Sequence, residues 1–297
     1  EATTNAHVVE LLLSAGAILI GKTNMDQFAT GLVGTRSPYG VPGNSFNPDF
    51  IPGGSSSGSA VAVAKGLISF SLGTDTAGSG RVPASFNNLL GYKPTRGIIS
   101  NRGIIPACRS LDCVSVFGLQ VSDILEVLLV LEEWDPQDPF SRKKKILTSR
   151  SFPERPRVAV LEDDQLDFFG DSIARKAYDK SINLLAQSGL SLDAVDLSPF
   201  LKAAELLYAG PWVAERHIAT SPLITESPES FLPETRKIIS GGNDPSARDA
   251  FLAHYKLAEL RRKADKIWDN FDFIALPTTG TIFTKEAIFK DPIELNS

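Results

Sequence analysis

The chain has 297 residues, enough for one large domain or two smaller ones. It is 42% hydrophobic and 22% charged with a formal net charge of −5, which is the composition of an ordinary globular enzyme and lacks the basic footprint of a nucleic-acid binder. Glu10 and Lys65 interrupt the two longest apolar runs, so no membrane span is predicted, and with no signal peptide visible a cytoplasmic location is expected.

The chain begins at Glu1 and ends at Ser297, and both ends read as cut. Val8, Val9, Leu11, Leu12 and Leu13 predict the tail of a helix over 1–14, stopped by Gly16. The continuously apolar run AILI at 17–20 predicts a strand buried on both faces. Residues 21–24 predict a turn and 25–30 a helical stretch. Residues 35–52 carry Pro38, Pro42, Pro48 and Pro52 and read as a long loop, of the kind that is usually functional or mobile. A helix is predicted over 60–65, a strand over 68–72, and a second helix from 81 towards 90; residues 92–106 read as loops and short strands. Ser122 is predicted to cap a helix carrying Ile124, Leu125, Leu128, Leu129 and Leu131. Residues 134–156 break the pattern with four prolines, and the basic run 142–145 reads as solvated surface.

Beyond this break come a strand over 157–161, an amphipathic helix over 172–187 ended by Gly189, and a strand over 192–195. Helical stretches over 201–208 and 212–219 are separated by Gly210-Pro211, and a long helix over 246–270 precedes a last strand at 273–276. Strands alternating with helices predict an α/β fold with helices on both faces of a sheet. Nothing marks 134–156 as a domain boundary, and no internal repeat is evident.

Two turns stand out: GGSSSGS at 53–59 and GTDTAGSG at 73–80. Glycines let a backbone approach a ligand and point its N–H groups inward. Hydroxyls at two such corners can meet over one spot, which makes a candidate Ser–Ser nucleophile site. A phosphate-binding loop needs Lys-Ser/Thr after its glycines, and neither turn has it. The dinucleotide fingerprint G-x-G-x-x-G is absent. A pair of purely structural serine-rich loops is the remaining alternative. Cys108 and Cys113 have no histidine nearby and read as free thiols rather than zinc ligands. His7, His217 and His254 are scattered and read as surface or core side chains.

The two turns with their flanks closely resemble the amidase signature family, which carries segments like GGSSSGS and GTDTAGSGR at this separation. AGAILIGKTN at 15–24 and GYKPTRG at 91–97 are similar to the family's neighbouring segments, so the resemblance covers most of the chain. Within the family the sequence looks most like allophanate hydrolase, stand-alone or as the hydrolase part of urea amidolyase. The residues carrying that narrower match are FATGLVGTRSPYG at 28–40, SLDCVSVF at 110–117 and GPWVAER at 210–216.

The resemblance implies an amidase signature fold: a large mixed β-sheet flanked by helices on both faces. It implies one catalytic domain over 1–297, without the family's N-terminal lysine motif and C-terminal part. The nucleophile falls on Ser79 and the bridging serine, preceded by a cis peptide, on Ser55. The amides of Thr76, Ala77, Gly78 and Ser79 are expected to form the oxyanion hole, with Asp75 and Arg81 supporting the turn. Tyr208 and Arg216 match the positions that bind the substrate carboxylate. Eight helical residues would separate those two by about 12 Å, so a bend at Gly210-Pro211 is expected between them. The catalytic lysine belongs upstream of AGAILIGKTN, before Glu1; Lys22 aligns with the lysine of that segment and reads as structural, so this chain alone is expected to be inactive. The implied reaction is hydrolysis of allophanate to ammonia and carbon dioxide in urea degradation, with neither cofactor nor metal. Urea carboxylase is the implied partner or fused domain, and a homodimer is expected, with no nucleic acid or membrane. An aminoacyl-tRNA amidotransferase A-type subunit and an inactive scaffold are the alternatives.

Overall fold

A computed structural model of the chain describes residues 3–143 and 153–296; Lys144 and Lys145 of the basic run lie outside the described residues. Lys143, its second residue, places its ammonium 4.1 Å from the centroid of the Trp134 ring. The chain forms two compact units, one of residues 1–148, 214–243 and 283–297, the other of residues 149–213 and 244–282.

The first unit opens with α1 (His7–Ser14), followed by α2 (Ser57–Ala64), β1 (Ser71–Thr74), α3 (Arg81–Phe86), β2 (Leu90–Tyr92), β3 (Val114–Gly118) and α4 (Val121–Leu131). β3 is the central strand, antiparallel to β1 on one side and β2 on the other. All five of its residues are buried. Successive side chains of a strand point to opposite faces. Val114 and Val116 accordingly join Val8 and Leu12 of α1 and Ile124, Val127, Leu128 and Leu131 of α4. Phe117 turns the other way, against Ala60 and Val63 of α2 and Ala84 of α3. The small residues of α2 let that helix sit close to the sheet, and its first residue, Ser57, lies inside the first serine turn. The helix therefore begins three residues before the predicted start, in the turn itself.

The second unit has β4 (Arg157–Leu161), α5 (Ser172–Gln187), β5 (Ser191–Val195) and α6 (Ser198–Ala209). The chain then passes through α7 (Val213–Glu226) and α8 (Pro233–Ser240), returns with α9 (Ala247–Trp268) and β6 (Phe273–Ala275), and closes with α10 (Lys285–Lys290). β4 lies between β5 and β6, parallel to both. A parallel pair needs a crossover, and α5 supplies it between β4 and β5. Asp171 starts α5 by accepting the Ile173 and Ala174 amides at 2.9 and 3.0 Å. Ser246 and Asp249 form a capping box at the start of α9. The α/β class with helix-flanked sheets is thus observed, its described strands lying in two three-stranded sheets.

Other expectations change as well; the strand predicted over 68–72, for example, lies at Ser71–Thr74. Residues 17–20 are not a strand; Ile18 is 82% and Ile20 74% exposed. An extended segment becomes a ladder only with a neighbour to satisfy its N–H and C=O groups, and none pairs with it among the described residues. The cap of α4 is Gln120, not Ser122: the Asp123 carboxylate accepts the Gln120 amide at 3.3 Å, and the Ser122 hydroxyl turns to Asp123. The helix predicted from 212 to 219 runs on to Glu226, through Pro222.

Phe117 is fully buried. Phe117→Ala is expected to destabilise the first unit by about 3–5 kcal/mol, the cost of an aromatic cavity, read as a lower denaturant midpoint; a loss under about 1 kcal/mol would place the core elsewhere.

Candidate active site

The second serine turn joins the end of β1 to the start of α3. Asp75 organises it. Its amide donates to the Cys113 carbonyl at 2.8 Å, tying the turn to the edge of β3. Its carboxylate accepts the Gly78 amide at 2.7 Å, the Arg81 amide at 3.0 Å, and Nε and Nη2 of the Arg81 side chain at 2.9 Å each. Burial pushes this carboxyl up, but the guanidinium and the amides outweigh it and hold it below the usual carboxylate range. The Thr76 hydroxyl donates to Asp112, which also accepts the Ala107 and Cys108 amides at 2.9 Å. Gly78 has φ 125°, a left-handed value suited to glycine. Ser79 is buried next to the start of α3. Of the amides expected to form an oxyanion hole, that of Gly78 donates to Asp75 and so holds the shape of the turn.

The first serine turn carries Ser55 after a cis Gly54–Ser55 peptide. Ser55 is fully buried; its carbonyl accepts the Asp26 amide at 2.9 Å, and its Oγ has no hydrogen-bond partner among the described residues. Ser56 joins the two turns. Its amide donates to the Ser79 carbonyl at 3.2 Å, and its hydroxyl donates to the Thr74 carbonyl and accepts the Thr74 amide, both at 3.2 Å. A Cβ on Gly73 would meet Ser56 Oγ at 2.5 Å, so glycine there makes this approach possible. The structure therefore brings the serine turns together, and through a residue that the sequence reading did not single out.

Residues 23–36 cradle the first turn. The Asn24 carbonyl accepts the Gly58 amide at 2.9 Å, and Asp26, fully buried, accepts the Gly34 and Arg36 amides at 2.9 and 2.8 Å. A Cβ on Gly54 would overlap the Asp26 carboxylate. Burial pushes the Asp26 carboxyl up to about 6, only partly offset by the Arg36 and Gly34 amides and the Arg36 charge. Arg216 lies on α7 and donates from Nη1 to Thr30 Oγ1 at 2.8 Å and from Nε to the Ala107 carbonyl at 3.4 Å. Its neighbour Glu215 accepts the Ser110 amide at 2.7 Å and the Ser110 hydroxyl. Tyr208 belongs to the second unit, where it is exposed on α6. The expected break between them is present: α6 ends at Ala209, Gly210 is extended and α7 begins at Val213. Lys22 is exposed, and Lys93 directs its ammonium to the Pro94 carbonyl at 2.7 Å and Cys113 Sγ at 3.6 Å.

Sequence reasoning missed Asp26, Thr30, Ser56 and Asp112 as site residues. Each acts on residues distant in the chain or through main-chain atoms. Only the place of Asp26, Thr30 and Asp112 inside or beside the FATGLVGTRSPYG and SLDCVSVF segments, and of Ser56 inside GGSSSGS, hinted at a role.

A family model described as Amidase matches residues 1–296. The chain is 40% identical over 300 residues to urea amidolyase of Saccharomyces cerevisiae, covering 100% of the chain and 16% of that protein. It superposes on the crystal structure of Kluyveromyces lactis urea amidolyase with TM-score 0.96 and 43% identity, covering all of this chain and 18% of that one. Kluyveromyces lactis allophanate hydrolase superposes with TM-score 0.95 and 44% identity, again over the whole chain and 48% of the other. The chain thus spans less than half the length of each of these relatives.

The Asp26 carboxyl gives a signed pH prediction. Its folded pKa, about 6, lies above its ordinary 3.8, so between those values the folded state binds the extra proton. This group's contribution is therefore most favourable below about pH 4 and is lost as pH rises through 6. Asp26→Asn removes that titration. The stability of the natural protein minus that of the variant should fall between pH 4 and 7 by on the order of 3 kcal/mol, about two units at 1.36 kcal/mol each, as read from denaturant midpoints. A difference that is flat or rises with pH would contradict this environment for Asp26.

Proposed function

The chain belongs to the amidase family, and from that premise we propose that it carries the acyl-transfer centre of an amide hydrolase acting on allophanate. The observation that carries this reading is the hydrogen bond from the Ser56 amide to the Ser79 carbonyl, which joins two serine turns into one buried site. Ser79 is the nucleophile. Ser55 relays its proton to a neutral lysine, a serine–lysine version of the nucleophile–base–orienter arrangement. That lysine is proposed to lie outside residues 1–297; in support, the buried Ser55 Oγ has no hydrogen-bond partner among the described residues. As Ser79 Oγ bonds to the amide carbon, the carbonyl oxygen takes the charge, facing the amides of Thr76, Ala77 and Ser79. The C–N bond then breaks, Ser55 returns the proton to the departing ammonia, and water releases the acyl group. Arg216 holds the substrate carboxylate; a guanidinium presents a planar fork to a carboxylate that an ammonium does not. A urea carboxylase, separate or fused, supplies the substrate.

Ammonia release by the intact protein tests this. Allophanate should be hydrolysed, and Ser79→Ala should lower turnover by at least about 1000-fold with the fold retained; turnover near the natural rate would move the nucleophile elsewhere. Ser55→Ala should cost about 100- to 10,000-fold, the range of proton-transfer catalysis. Arg216→Lys should impair allophanate about tenfold more than acetamide. Equal losses on both substrates would make Arg216 structural, and turnover of glutamine in place of allophanate would favour an amidotransferase-type activity.

A further inference from the structure

We propose that Thr30 is a positioning residue for Arg216: its hydroxyl holds the guanidinium in the orientation that receives a substrate carboxylate, within a buried frame that also holds Ser55. This rests on the reading of Arg216 given above.

Thr30 is 2% exposed and accepts Arg216 Nη1 at 2.8 Å. The same hydroxyl donates to the Phe28 carbonyl at 3.3 Å. With its proton engaged there, the oxygen turns lone-pair density towards the guanidinium, which can only donate. The Thr30 carbonyl accepts Arg36 Nη1 at 2.9 Å, the Arg36 amide donates to Asp26 at 2.8 Å, and the Asp26 amide donates to the Ser55 carbonyl at 2.9 Å. A continuous chain of hydrogen bonds, buried at Asp26 and Arg36 and part-buried at its Arg216 end, therefore runs from Ser55 to Arg216. The other edge of the guanidinium donates to the Ala107 carbonyl, and the Ala107 amide donates to Asp112, which holds the Thr76 hydroxyl. Arg216 is thus registered against both serine turns, against the first through Thr30 and against the second through Ala107.

The backbone before Thr30 is unusual in the way this role requires. Phe28 and Ala29 have φ of 52° and 54°, two successive non-glycine residues in the left-handed region. Such conformations persist where the surroundings over-determine them, and they gather at functional sites. Here the Phe28 ring stacks on Phe231 with centroids 4.9 Å apart, and Arg36 Nη2 donates to the Pro292 carbonyl. The frame is clamped on both sides of Thr30, which fixes where its hydroxyl stands.

Thr30→Val keeps the shape and removes the acceptor; Thr30→Ser keeps the acceptor and removes the methyl. In the intact protein, Thr30→Val is expected to lower kcat/KM for allophanate about tenfold more than for acetamide, mainly through KM, as loss of a hydrogen bond to a charged group does. Thr30→Ser should keep the natural ratio. Equal losses on both substrates in the Val variant, or a Ser variant that loses the ratio, would overturn the proposal. A crystal structure of Thr30→Val decides the point independently of substrate. An Arg216 guanidinium turned away from its natural position supports the proposal even if allophanate proves not to be the substrate; a guanidinium unmoved overturns it.

Discussion

The serine turns depend on one buried charge, the carboxylate of Asp75. A carboxylate taken out of water must be met by donors or it drives the structure apart. Asp75 is met by two main-chain amides and two guanidinium nitrogens, and those bonds fold residues 75–81 around it. The same residue anchors the turn to β3 through its own amide. The tight corner that carries Ser79 is therefore a consequence of satisfying one anion. The Arg81 side chain remains partly open to solvent, so the bridge also has a solvent-facing side.

The rest of the first unit transmits that constraint. β3 packs α1 and α4 on one face and α2 and α3 on the other, so the helices that flank the two turns share one strand. Glycines then allow close approach where it is needed. Gly73 admits Ser56, and Gly34 lies where a Cβ would meet the Gly53 carbonyl at 2.5 Å. Asp26 plays under the first turn the part that Asp75 plays in the second, without an equivalent guanidinium bond to its carboxylate. That difference explains why burial wins at Asp26 and loses at Asp75.

What the sequence made legible was local. GGSSSGS and GTDTAGSGR announce tight corners because glycine and serine act on their own backbone. The helices with long apolar periods, such as that of Ser172–Gln187, lie where periodicity puts them. What stayed hidden was non-local. The apolar residues 17–20 read as buried, yet burial depends on a partner strand that composition does not reveal. Ser56 looked like one serine among three, and its importance lies in an amide reaching a carbonyl 23 positions away. Thr30 and Arg216 are separated by 186 positions, and no spacing rule connects them. Gly78 was legible as a turn glycine, but the destination of its amide was set by Asp75.

The central claim, that the joined turns activate Ser79 and that Ser55 relays, is tested most directly by covalent labelling of the intact protein with a fluorophosphonate, followed by tryptic mapping. Cleavage after Arg36, Lys65 and Arg81 puts Ser55 in the peptide 37–65 and Ser79 in the peptide 66–81. The account predicts the phosphonyl adduct on Ser79 in the second peptide, formed much more slowly in Ser55→Ala. An adduct on Ser55, or labelling of Ser79 that is indifferent to loss of the Ser55 hydroxyl, would contradict it.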